Sequence, residues 1–160
     1  MFIKDVSDND LDAVWSLNEA SVPHVSQIDR TEVRWFADNA HYFRVARIDD
    51  SLAGFLIGLR PGLSYQSLNY LWFVERYRDF AYVDRVAVAR SARRMGVASH
   101  LYDDFAAVVG TDAGVMTCEV NLQPPNESSM EYHRKYGFVQ VGTQQTEGGN
   151  KEVALLEMKL

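Results

Sequence analysis

The stretch from Phe80 to Gly110 constrains this chain more than any other. Phe80 to Val88 is an apolar run of strand length, and Val97, Leu101, Phe105 and Val108 then recur at helical spacing up to Gly110. Only the short segment Ala89–Gly96 separates them, so the pattern predicts a strand, a tight loop and an amphipathic helix in direct succession. Such a unit buries its apolar faces only as layers, which places the chain in the α/β (α+β) class.

The remaining elements extend that layering. Phe2 to Val6 reads as a first strand, and Ser7 followed three residues later by Asp10 resembles an N-cap opening a helix with Leu11, Val14, Trp15 and Leu17 on one side. Asp29 before Thr31 and Glu32 marks a second helix start. Tyr42–Ile48 and Leu52–Leu59 flank the polar turn Asp49-Asp50-Ser51 as a hairpin that Pro61-Gly62 ends. Leu63 to Asp79 carries Tyr65, Tyr70, Trp72, Phe73 and Tyr77 without a clean period, and reads as a loop with a short helix. After the central unit come a strand over Val115–Val120, a helix over Glu127–Tyr136 ending at Gly137, and a hairpin of Phe138–Val141 with Val153–Met158 across Gly148-Gly149. The predicted order is β-α-α-β-β-β-α-β-α-β-β, a mixed, mainly antiparallel sheet of about seven strands flanked by about four helices.

With 160 residues, 47% of them hydrophobic, and no repeat, linker or low-complexity tract, residues 1–160 are expected to form a single domain. A net charge of -6 gives no general attraction to nucleic acid or anionic lipid. Cys118 is the only cysteine, which rules out an intramolecular disulfide and a multi-cysteine zinc site. His24 and His41 lack ligand-spaced partners, so no metal is expected. No apolar stretch has the length of a signal-peptide core or a membrane span, and a cytoplasmic setting is expected.

Against that acidic background the loop Arg93-Arg94-Met95-Gly96-Val97-Ala98 is locally basic. A helix's first turn presents backbone N–H groups and the positive end of its dipole, and a glycine lets an anion approach them. Ala98 leaves further space. The alternative is a plain strand-to-helix turn with two solvated arginines. No Gly-Lys-Ser/Thr follows and no triple glycine is present, which disfavours nucleotide hydrolysis and hydride transfer.

Val86-Ala87-Val88, a short spacer and Arg93 to Ala98 together resemble motif A of the GNAT superfamily, Arg/Gln-x-x-Gly-x-Gly/Ala. Downstream, Asn126, Ser129, His133 and Gly137-Phe138 resemble the family's Asn-x-x-Ala/Ser-x-x-x-Tyr-x-x-x-Gly-Phe with every spacing retained. The resemblance implies a GNAT-like fold over essentially the whole chain and an N-acetyltransferase that moves an acetyl group from acetyl-CoA to a primary amine of a small molecule, peptide or protein, leaving coenzyme A. An acyl-CoA-binding sensor without turnover is the alternative. The resemblance also implies that the backbone of Val86, Ala87 and Val88 pairs with the pantetheine arm. Amides from Arg93 or Arg94 through Met95, Gly96, Val97, Ala98 and Ser99 would then cradle the pyrophosphate, with Asn126, Ser129 and His133 also on the cofactor side. Asn126 after Pro124-Pro125 equally suits a helix N-cap, and the loop before it is about two residues longer than is usual in the family.

Position 133 departs from the family, where a tyrosine is thought to protonate the departing thiolate. His133 can take that role, hydrogen-bond within the core, or leave it to Tyr132 or Tyr136. Deprotonating the amine requires a base, for which Asp84 and Glu119 are candidates, each on a strand beside the cofactor segment; both also suit structural roles. Tyr65, Asn69, Tyr70 and Trp72 are candidates for the acceptor wall, or else core or a dimer surface. A homodimer through the C-terminal strands or the aromatic segment is open.

Overall fold

Two aspartates close the first hairpin. Asp49 and Asp50 both have positive φ (46° and 60°), the conformation a two-residue hairpin turn demands, so β2 (Tyr42–Ile48) pairs antiparallel with β3 (Ser51–Leu59) from Ile48 opposite Ser51 onward. The computed structural model describes residues 1–160, the side chain of Thr111 excepted. The other elements are β1 (Phe2–Asp5), α1 (Leu11–Glu19), α2 (Arg30–Asn39), α3 (Leu68–Arg76), β4 (Ala81–Val88), α4 (Val97–Val109), β5 (Val115–Gln123), α5 (Glu127–Tyr136), β6 (Val139–Thr146) and β7 (Lys151–Lys159). The strands form one sheet in the order β1-β2-β3-β4-β5-β7-β6, with β4 and β5 parallel.

The predicted order holds with one correction. Leu63–Asp79 contains a regular nine-residue helix, α3, which the expected element order left out. Ser67 caps it by accepting the Tyr70 N–H. The missing period has a physical cause: Tyr70, Phe73 and Tyr77 face inward, while Leu68 and Val74 are exposed apolar residues on the same helix. The last two strands are also longer than predicted, since their polar ends (Thr143–Thr146 and Lys151–Glu152) pair although they lack an apolar signal.

The chain divides into two compact units, Met1–Leu59 with Arg85–Val108, and Arg60–Asp84 with Val109–Leu160. In the first, Phe105 of α4 lies against Tyr42 (ring centroids 4.8 Å apart), and Leu101, Tyr102 and Phe105 are fully buried. Arg85 of β4 is 6% exposed. Its guanidinium donates to the Asn18 Oδ1 (2.9 Å), the Ser26 carbonyl (3.1 Å) and the Ser26 Oγ (3.3 Å). In the second unit, Tyr70 and Phe73 pack on Phe80 and Tyr82 with centroids 5.6–6.1 Å apart. Tyr70, a candidate for the acceptor wall or for the core, is therefore core.

Asp10 ties β1, α1 and β2 together. Its carboxylate accepts from Lys4 Nζ (2.5 Å), the Ser7 amide (2.9 Å) and Arg47 Nη1 (3.0 Å). Burial pushes its pKa up, but the hydrogen bonds from Lys4 and Ser7 and the Lys4 charge outweigh that and hold it below the ordinary 3.8. A depressed folded pKa gives stability that is present above 3.8 and lost as pH falls through the folded value. Asp10→Asn should cost about 1–3 kcal/mol in chemical denaturation at neutral pH, and the gap between it and the wild type should close below pH 3.8.

Candidate active site

The central strand-loop-helix unit is built around close approach. An added Cβ at Gly54 of β3 would stand 2.8 Å from the Ala87 carbonyl oxygen and 2.9 Å from Val97 Cγ1. A glycine there lets β4 and the start of α4 settle against β3, and the Ala89 amide donates to the Ala53 carbonyl at 2.8 Å. On β4 the alternation is clean from Val83: Val83, Arg85 and Ala87 are buried, while Asp84, Val86 and Val88 are half-buried on the other face. A short 3₁₀ turn over Arg90–Ala92 follows.

Arg94 (φ 64°) and Gly96 (φ 77°) both lie in the left-handed region and turn the chain into α4. The first intrahelical bond is the His100 amide to the Gly96 carbonyl (3.0 Å), so the amides of Val97 and Ala98 precede the helix's own ladder. A Cβ at Gly96 would meet only the His100 ring, 3.3 Å from Nδ1. His100 Nδ1 is 2.8 Å from the Gly96 carbonyl, an oxygen that only accepts, so the imidazole donates from that nitrogen. Arg93, Arg94 and Met95 are exposed, whereas Val97 is buried. An open glycine face, helix-terminal amides and two exposed guanidinium groups form a cradle that fits a pyrophosphate.

The second unit carries a polar cluster on one sheet face. Tyr82 of β4 stands opposite Thr117 of β5 in the parallel ladder. Its hydroxyl donates to Glu119, with Oε2 at 2.8 Å and Oε1 at 3.0 Å. Tyr65 donates to Asp84 Oδ1 at 2.5 Å. Burial first, then the negative charges of Glu119 and Asp84, push the Tyr82 hydroxyl's pKa up. The Thr117 hydroxyl on the same face is fully buried and has no hydrogen-bond partner among the described residues. Tyr82 and Thr117 are members the sequence reading missed, although period-two alternation from Asp84 and Glu119 points to both.

On α5, the Asn126 side chain accepts the Ser129 amide (3.3 Å), so it caps this helix. His133 is 4% exposed, and its Nδ1 lies 2.7 Å from the Ser129 carbonyl and 3.3 Å from Ser129 Oγ. A carbonyl only accepts, so Nδ1 carries the proton. Burial lowers the imidazole pKa from 6.5, against an opposing hydrogen bond to Ser129. The acceptor candidates on α3 are engaged elsewhere: Asn69 Oδ1 accepts from Gln144 Nε2 (2.9 Å), Trp72 lies over Gly142 and beneath Arg76, and Tyr70 donates to the Arg60 carbonyl (2.8 Å). Among the described residues no group of three or more His, Cys, Asp or Glu could hold a metal, and no helix is long and apolar enough to cross a membrane.

The fold is a seven-stranded mixed sheet in which β4 and β5 run parallel. The model of the acetyltransferase (GNAT) family matches residues 11–138, and the chain belongs to that family. It is accordingly an N-acetyltransferase that uses acetyl-CoA. No curated protein matches the chain significantly. Among solved structures it resembles Ard1 from Thermoplasma volcanium (20% identity, TM-score 0.80, covering 99% of this chain and 97% of that one). It also resembles a ribosomal-protein-alanine N-acetyltransferase from Brucella melitensis (18%, 0.74, 100% of both chains). A third is Chaetomium thermophilum Naa20 in complex with a bisubstrate analogue (16%, 0.76, 100% of this chain and 87% of that one). At these identities the likeness is one of fold.

His133 supplies a test of the α5 geometry. A histidine with a lowered folded pKa stabilises above the unfolded value of 6.5, and that stability is lost as pH falls through the folded pKa. Between about pH 7 and 5 the melting temperature of the wild type should therefore fall more steeply than that of His133→Phe.

Proposed function

We propose that this enzyme acetylates the free N-terminal amine of a peptide or protein, with Glu119 as the proton acceptor. The observation that carries this reading is the pair of tyrosine-bound carboxylates, Asp84 and Glu119, on adjacent parallel strands. An N-terminal amine, with a pKa near 7.8, is substantially neutral at physiological pH, whereas a lysine amine near 10.4 is almost wholly protonated. One carboxylate suffices for the former. The ribosomal-protein-alanine N-acetyltransferase activity named for the Brucella melitensis structure supports an amine of this kind, since alanine carries no side-chain amine.

Acetyl-CoA, when bound, supplies an acyl group activated as a thioester. The Val86, Ala87 and Val88 backbone aligns its arm. The amides of Gly96, Val97, Ala98 and Ser99, with Arg93, Arg94 and Met95 at the mouth, hold its pyrophosphate. Asn126 and Ser129 line the start of α5. Asp84 attracts the incoming ammonium, and Glu119 takes the proton from the amine nitrogen. His133 is kept as a packing residue on the cofactor side and not as the acid, because its single proton is already given to Ser129. Tyr65 remains on the acceptor side through its bond to Asp84; Asn69, Tyr70 and Trp72 support that side as packing residues. We read residues 1–160 as one catalytic domain, since the family match crosses both compact units, and a cytoplasmic setting suits its lone buried cysteine.

The test is thiol release and mass spectrometry with acetyl-CoA and lysine-containing peptides, supplied either with free or with blocked N-termini. Acetylation should fall on the free N-terminus, and Glu119→Gln should slow it by about 100-fold or more. Labelling of lysine alone would overturn the acceptor assignment, and an undiminished rate in Glu119→Gln would overturn the base.

A further inference from the structure

The two carboxylates are held by tyrosines of different kinds. Tyr65 sits in the half-buried loop before α3. Tyr82 is fully buried, with its ring set against Tyr70 at 5.6 Å and Phe73 at 5.8 Å. A side chain wedged in this way has no second rotamer to visit, so its hydroxyl occupies one place. That place is defined by the sheet: Tyr82 pairs with Thr117, and Glu119 is the next residue of β5 on the same face. The hydroxyl has one proton and both Glu119 oxygens lie within 3.0 Å of it, so the contact fixes the plane of the carboxylate as well as its position.

Resting on the reading of Glu119 as the base, we infer that Tyr82 is a positioning residue that presets Glu119 as the proton acceptor for the incoming amine. Three observations favour this over a purely structural hydrogen bond. The Tyr82 hydroxyl is held protonated by burial and by its acidic neighbours, so it donates throughout the working range and cannot itself be the base. Donation to a carboxylate favours its ionised form. The fully buried, unpartnered Thr117 hydroxyl at the paired position is costly in a closed core and marks this face as polar by construction.

The titratable groups acting on the Tyr82 hydroxyl are Glu119, Asp84 and Tyr65, and Cys118 lies beside Glu119 on β5. On β7, Glu157 stands opposite Thr117 and is bound by Tyr77 of the segment after α3. His133 is the buried titratable group of α5, which packs on β5.

The experiment follows the Glu119 carboxyl carbon by NMR across pH in the free protein, wild type and Tyr82→Phe. Loss of the donor should move the Glu119 midpoint up by about one pH unit, a tenfold gain in proton affinity. The acid limb of kcat/KM for free-N-terminus peptides should move up with it. An unchanged midpoint, or a moved midpoint with an unmoved limb, overturns the inference. Should Tyr82→Phe not fold, the Tyr82 hydroxyl proton is observed in the wild type and in Glu119→Gln. A large shift between them supports the contact, and identical signals refute it. If Glu119→Gln transfers acetyl at the wild-type rate, the reading of the base itself fails; if it is slow while Tyr82→Phe titrates as the wild type does, only the inference fails.

Discussion

Burial of the Arg85 guanidinium is the constraint on which the geometry around β4 depends. A buried cation is tolerated only where its N–H groups are met, and here Asn18 of α1 and Ser26 of the following loop meet them. In a strand whose side chains alternate, a slip by one residue would bury Asp84 and expose Arg85, breaking both arrangements at once. The register of β4 is thereby locked, and with it the outward face of Asp84, Val86 and Val88. Gly54 acts on the same strand from β3, because any side chain there would push the Ala87 carbonyl away. A polar lock and a steric allowance hold one strand in place, and that strand leads directly into the loop.

Much of this arrangement was legible from the residues alone, for reasons that can be named. The helix-period pattern of Val97, Leu101 and Phe105 survives because those side chains form one buried stripe. Gly96 in a basic loop pointed to an open face, which is found together with a positive φ. What escaped was governed by tertiary packing. The aromatics of α3 turn inward onto Phe80 and Tyr82, a fact of the three-dimensional cluster that no local period records. Tyr82 itself looked like one more apolar strand residue, and only its placement opposite Thr117 shows what its hydroxyl reaches. Asn126 carried two readings, and the structure shows the cap.

The charge distribution follows the same division of labour. Several acidic residues meet ordinary surface partners, such as Asp12 with Arg30, and contribute little to stability. The exceptions are those whose neighbours exclude water. Asp10 is buried and bound by Lys4, Ser7 and Arg47, and its role is to join three elements. Asp84 and Glu119 are half-buried, and each holds a tyrosine hydroxyl.

The histidine at position 133 fits this scheme better as a neutral group than as an acid. Its Nδ1 proton is committed to the Ser129 carbonyl, and a second proton would have to be carried in a site that burial makes unfavourable for charge. A thiol has an ordinary pKa of about 8.5, far below that of an alcohol, so a thiolate is a competent leaving group without a proton donor poised beside it. The amine, by contrast, cannot complete acyl transfer without losing a proton. The demand for a positioned group therefore falls first on the base side of the reaction.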